Sequence, residues 1–152
     1  MSETASSETT WTRPDPGVMR GVIPYIGMDG RAAEAADFYA RAFGARDIGR
    51  MPGEKPGELM HCQLEINGGS LMMSDMRGPD EPAARPQGFH LQLVVGDGDL
   101  WWSRAVEAGC TVLMPFERMF WGDRWGLLRD PFGINWSVDE PGEGADRPES
   151  AP

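Results

Sequence analysis

The chain has 152 residues and a formal net charge of −10. That length sets one domain, and 40% hydrophobic residues are ample for a core. No basic stripe is present to neutralise phosphates, which excludes nucleic acid as the expected partner. No apolar run approaches the roughly 20 residues of a membrane span, and the first residues carry neither a basic n-region nor an apolar core, so a cytoplasmic protein without membrane contact is expected.

In chain order, residues 1–17 are Ser/Thr-rich and residues 140–152 are acidic and rich in Pro and Gly, so both are expected to be disordered tails. Half of the net charge sits in them. Between the tails, residues 22–26 form a short apolar run, Met28-Asp29-Gly30 a turn, and Ala33, Ala36, Phe38, Tyr39, Ala42 and Phe43 a helical stripe stopped by Gly44. Residues 46–51 read as a second strand and 52–57 as an exposed turn. Residues 58–66 alternate, with Met60, Cys62, Leu64 and Ile66 on one face and Leu59, His61, Gln63 and Glu65 on the other. Asn67-Gly68 is a tight hairpin signal, after which residues 70–75 return as a fourth strand.

Residues 76–88 are a Pro/Gly/Arg linker. The pattern then repeats. Residues 89–95 alternate as a strand, with His90 and Gln92 on the less apolar face; residues 96–99 are a turn; and a helix carrying Trp101 and Trp102 stops at Gly109, 65 residues after Gly44. Residues 111–114 are the next strand, and residues 115–123 a loop that holds Phe116, Phe120 and Trp121. Residues 125–129, the turn Asp130-Pro131-Phe132-Gly133 and residues 134–138 close the second module. The fold class is therefore α+β: two tandem βαβββ modules, 21–75 and 89–138, forming one curled eight-stranded sheet within a domain spanning 18–139. Eight strands curled into a cup place the helices outside and make the interior the default ligand site. Cys62 and Cys110 form no CxxC pair and read as buried free thiols.

Phe38-Tyr39 with Ala42-Phe43-Gly44-Ala45, the strand entry Phe89-His90-Leu91, and Phe120-Trp121-Gly122-Asp123-Arg124 with the Asp130 to Gly133 turn resemble the PhnB-like branch of the vicinal oxygen chelate superfamily. That superfamily includes glyoxalases, bleomycin-resistance proteins and extradiol dioxygenases. The resemblance covers residues 21–139 and implies modules paired across a homodimer. It also implies metal-ligand positions on the first and last strand of each module. Counted back from the glycine ending each helix, these fall on Pro24, His90, Ser137 and near Met73. Of the four only His90 is a competent ligand, so no metal and no other cofactor is expected. A non-standard site built from His61, Glu65 and His90 is the enzyme alternative, as lyase, isomerase or oxygenase, or with His90 as a metal-free general base. The main expectation is a binding protein. His61, Gln63, Met73, His90, Gln92, Trp121 and Ser137 would line a cup that holds a mostly apolar small organic molecule. Asn135 is expected on the same face, and Trp136 in the core beneath the helix.

Overall fold

The computed structural model describes residues 17–76 and 88–142. Residues 1–16 and 143–152 of the expected tails, and most of the 76–88 linker, lie outside the described residues; Glu140, expected in the second tail, is instead the last residue of the final strand, which runs two residues past the expected end at 138. The chain divides into two compact units, the second of which takes in residues 41–44, the last turn of the first helix.

The first unit runs β1 (Tyr25–Gly27), α1 (Ala32–Phe43), β2 (Arg46–Pro52), β3 (Leu59–Ile66) and β4 (Gly69–Ser74). Its sheet order is β1-β4-β3-β2, with β1 parallel to β4 and the other neighbours antiparallel. The second unit runs β5 (Leu91–Val94), α2 (Gly98–Ala108), β6 (Thr111–Arg118), β7 (Arg124–Arg129) and β8 (Asn135–Glu140), in the order β5-β8-β7-β6. The order βαβββ is thus present twice, and β5 pairs parallel with β8 as β1 does with β4.

Local chemistry accounts for these elements. The β3–β4 turn holds Asn67 at φ 51° and Gly68 at φ 81°, the left-handed pair that a two-residue hairpin requires. The side chain of Asp97 caps α2 by accepting from Leu100 N at 3.1 Å, and Gly109 ends it at φ 121°. In the first unit the helix start is held from outside. Asp75, just past β4, accepts from Gly30 N (2.8 Å), Ala32 N (3.0 Å) and Leu59 N (2.9 Å). One carboxylate thereby ties the end of β4 to the starts of α1 and β3. Glu140, at the end of β8, holds Gly98 N at 2.7 Å in the second unit.

Cross-strand pairing assigns each strand residue to a face. In the first unit Ile26, Cys62, Leu64, Leu71 and Met73 share the buried face, together with buried Ala32, Ala35, Ala36, Phe38 and Tyr39 of α1. In the second, Leu93, Leu128, Trp136 and Val138 are buried, and the Trp136 ring lies 4.4 Å from that of Phe43. Gly126 must be glycine, because a Cβ there would meet the Trp102 ring at 2.6 Å. Cys62 and Cys110 are buried free thiols, and burial pushes both up to about 12.

Two features depart from the sequence pattern. The expected loop after Met114 is strand as far as Arg118, because β6 is an edge strand whose pairing shifts between Met114 and Glu117, which accommodates Pro115. Phe116 therefore lies on β6 and stacks on Trp102 at 5.5 Å. Neither Trp101 nor Trp102 is fully buried: Trp102 packs on Gly126, and the Arg104 guanidinium lies 4.7 Å from the Trp101 ring.

Asp75→Ala strands three backbone donors at once and should destabilise the protein by about 3 kcal/mol in urea unfolding. A loss no larger than that of an exposed control such as Asp47→Ala would contradict this role.

Candidate functional site

In the second unit, the face of the sheet turned away from the buried apolar residues carries Gln92, Ser137 and Leu127 at one level and Val94, Asp139 and Trp125 at the next. Trp125 starts on β7, yet its Nε1 donates to Oε1 of Gln92 on β5 at 3.4 Å. Because β8 lies between those strands, the indole must span β8 to get there. The Ser137 hydroxyl, on β8, donates to the same Gln92 oxygen at 3.2 Å. Gln92 is thereby fixed with its carbonyl oxygen engaged twice, which turns its exposed amide NH2 outward as a donor.

A chain of aromatic rings extends from the Trp125 indole. The exposed His90 ring meets Trp125 edge to face at 6.1 Å; Trp121 meets Trp125 at 6.3 Å; and Phe120, 98% exposed, meets Trp121 at 5.0 Å. His90, Gln92, Trp121 and Ser137, each expected at the site, are thus brought into one patch with Trp125 at its centre. Asn135 shares their face by register and accepts from Arg129 Nε at 3.0 Å.

In the first unit, the corresponding face carries Tyr25, Met72 and Gln63 at one level. The Tyr25 hydroxyl lies 2.7 Å from His61 Nδ1, with the rings 5.5 Å apart. Burial lowers the His61 pKa from its ordinary value and raises that of Tyr25, so both groups favour their neutral forms. Gln63 is fully buried. Its Nε2 donates to Ser70 Oγ (3.0 Å) and approaches Met19 Sδ (3.1 Å), while Ser70 Oγ donates to the Val18 carbonyl at 2.5 Å. The segment at Val18 and Met19 therefore sits against this face.

The pairing corrects two expectations. Met73 lies on the helix side with Cys62 and Ile26, fully buried, and it is Met72 that shares the face of Gln63 and Tyr25. On the first strands, Tyr25 lies opposite Met72 and Gln92 opposite Ser137, so Tyr25 and Gln92, rather than Pro24 and His90, occupy corresponding places. Alternation along a strand defines two faces without saying which one the helix covers.

The donor set does not fit the metal ring of the superfamily. Its strand positions hold a phenol, a thioether, an amide whose oxygen is already engaged and a hydroxyl. The alternative ring fails geometrically too. His61 and Glu65 are four residues apart on β3, about 13 Å at the usual rise per residue, and Glu65 is paired with Arg46. Among the described residues, no three of His, Cys, Asp and Glu are grouped to hold an ion. A hollow of about 650 Å³ in the first unit is lined by Asp29, Glu54, Lys55, Glu58 and Asp75 among others. None of the expected site residues lines it, and Asp75 is committed to backbone donors.

Sequence reasoning left two residues of the second face aside. Trp125 opens the strand expected at residues 125–129 and alternates with Leu127; Asp139 follows Ser137 at the strand period, one step beyond the expected end of the last strand.

Comparison with known proteins agrees with this architecture. The family model of the Glyoxalase/Bleomycin resistance protein/Dioxygenase superfamily matches residues 24–138, and the chain belongs to that superfamily. It is 41% identical over 127 residues to Mb0911c, an uncharacterized protein of Mycobacterium bovis, covering 78% of this chain and 81% of the relative. Protein PA1353 of Pseudomonas aeruginosa superposes with a TM-score of 0.68 at 27% identity, covering 82% of this chain and 99% of that one. TnmS3, an antibiotic binding protein from Streptomyces sp. CB03234, shares the fold with a TM-score of 0.57 at 21% identity, covering 82% and 99% of the two chains. No helix among the described residues is long and apolar enough to cross a membrane.

The His61 environment has a consequence for pH. Its folded pKa lies below the ordinary 6.5, so its contribution to stability is present above that value and is lost as pH falls through the folded one. The His61 imidazole should titrate below 6.5 by NMR, and urea midpoints should decline on the acid side with a slope that His61→Gln reduces. A midpoint at or above 6.5 would contradict the burial.

Proposed function

We propose that this protein is a small-molecule-binding, PhnB-like member of its superfamily that holds a mostly apolar organic ligand without the usual metal. Fold alone does not choose an activity. The observation that carries the reading is the Gln92 interlock: two hydrogen bonds immobilise one amide, so its NH2 is a pre-oriented donor among the rings of His90, Trp125 and Trp121. One fixed polar group in an aromatic surround suits a ligand with a large apolar body and few hydrogen-bonding atoms. The His90, Gln92 and Ser137 part of the expected ligand set belongs to this patch; His61 and Gln63 would serve the corresponding face of the first unit. That TnmS3 is described as an antibiotic binding protein supports an organic ligand on this fold. The motifs at residues 38–45 and 120–133 support the PhnB-like assignment, and a cytoplasmic homodimer belongs to the same reading.

The enzyme alternative rests on His90, whose exposed ring could accept a proton from a molecule on Trp125. Nothing else on the described face orients that imidazole by a hydrogen bond, so binding is the better supported role.

Isothermal titration with 2-naphthylmethanol, a neutral aromatic alcohol, should register binding that Gln92→Ala and Trp125→Ala each weaken about tenfold, the equivalent of one hydrogen bond or one stacked ring. Unchanged affinity in both variants would remove the support for this patch. Near-stoichiometric zinc, nickel, manganese or iron in the purified protein, lost in His90→Ala, would overturn the metal-free reading.

A further inference from the structure

On the same face as Gln92 and Ser137, the last residue with a chemical group is Asp139. It is only 7% exposed, and its Oδ1 has no hydrogen-bond partner among the described residues. It stands level with Trp125 on one side and Val94 on the other. A second carboxyl, that of Asp123, lies beside it; the Asp123 Oδ1 accepts from Gly142 N at 2.9 Å.

A buried carboxyl ordinarily finds a cation or several donors. Here the guanidinium groups of this unit's sheet are engaged elsewhere. Arg124 is on the other face, bound to Asp99 at 2.7 and 3.1 Å and near Glu140 at 3.7 Å. Arg118 donates to the Gly122 carbonyl, and Arg129 to Asn135. The remaining ionisable groups facing this region are His90, ahead of β5, and Glu117, level with Trp125 on β6. Burial, then the neighbouring Asp123, pushes Asp139 up to about 6. Near pH 6 Asp139 therefore passes between its neutral and its charged form.

We infer that Asp123 and Asp139, beside the Trp125 indole, form a recognition site for an organic monocation: an ammonium or amidinium group on an apolar or aromatic body. A cation there would partner the orphaned Oδ1 and meet the face of an indole, two attractions that offset the loss of its hydration. Among the described residues no third His, Cys, Asp or Glu joins the two carboxyls, and the Trp125 indole beside them favours a cation carried on an organic body. The inference rests on the reading of this face as a ligand surface and adds the charge of the ligand to it.

The test compares two probes of one shape, 2-naphthylmethylamine and 2-naphthylmethanol, by isothermal titration with the full chain. At pH 8 the amine is expected to bind at least tenfold more tightly than the alcohol. That preference should shrink towards unity by pH 5 as Asp139 takes up its proton, and the same trend should persist in His90→Gln. Asp139→Asn should abolish the preference, so that the amine binds no more tightly than the alcohol. Should that variant not fold, the unaltered protein still decides, because amine binding at pH 6 releases protons, seen as a binding heat that differs between phosphate and MES buffers. Equal affinity for both probes would overturn the cation site and leave the organic-ligand reading standing. If neither probe bound, both would fall. Absence of proton release at pH 6 would overturn the cation site by itself.

Discussion

Each unit depends on a carboxylate at the end of its last strand. Asp75 leaves β4 and gathers the amide groups that open α1 and β3; Glu140 ends β8 and takes the amide that opens α2. The first amides of a helix have no partner within it, and a carboxylate aimed at them satisfies the donors and the positive end of the helix dipole together. It also fixes where the helix begins relative to the sheet. The two units reach this differently. The shorter Asp75 is close enough to take three donors, whereas Glu140 takes one and Asp97 supplies the cap of α2 from within the turn. One place in a duplicated plan is thus acidic in both copies while the bonds it makes have diverged.

Much of the fold could be read directly from residue order. The stops at Gly44 and Gly109, the Asn67-Gly68 turn and the alternation through β3 and β5 are local signals, and each corresponds to an element within a few residues. The edge strand was less legible: Pro115 suggested a loop, and only knowledge that β6 has a neighbour on one side makes a proline acceptable there. Of the adjacent tryptophans, Trp102 packs on Gly126 and Trp101 lies under the Arg104 guanidinium, so each has a half-buried place of its own.

The candidate site was half legible for a related reason. His90, Gln92 and Ser137 announce themselves as polar residues at strand period, and the structure gathers them. Met73 and Met72 are neighbours of one chemical type, and only pairing with Cys62 and Gln63 decides which lies under the helix. The role of Trp125 depends on a side chain crossing an intervening strand, so it needs the order β5-β8-β7, which no periodicity contains. Asp139 needed the strand to run past Val138.

The residues at Val18 and Met19 make the copies unequal in a further way. The Ser70 hydroxyl and the Gln63 NH2 in the first unit are already engaged with each other and with the chain's own leading segment, while Gln63 Oε1 has no hydrogen-bond partner among the described residues. Any visitor to those two groups must trade places with a covalently tethered rival, whose effective concentration, on the order of millimolar for a short flexible tether, sets a threshold that a weak ligand does not cross. Duplication has thus yielded one surface preoccupied with its own polypeptide and one whose amide donor points outward, a difference in readiness that identical element order would not have disclosed.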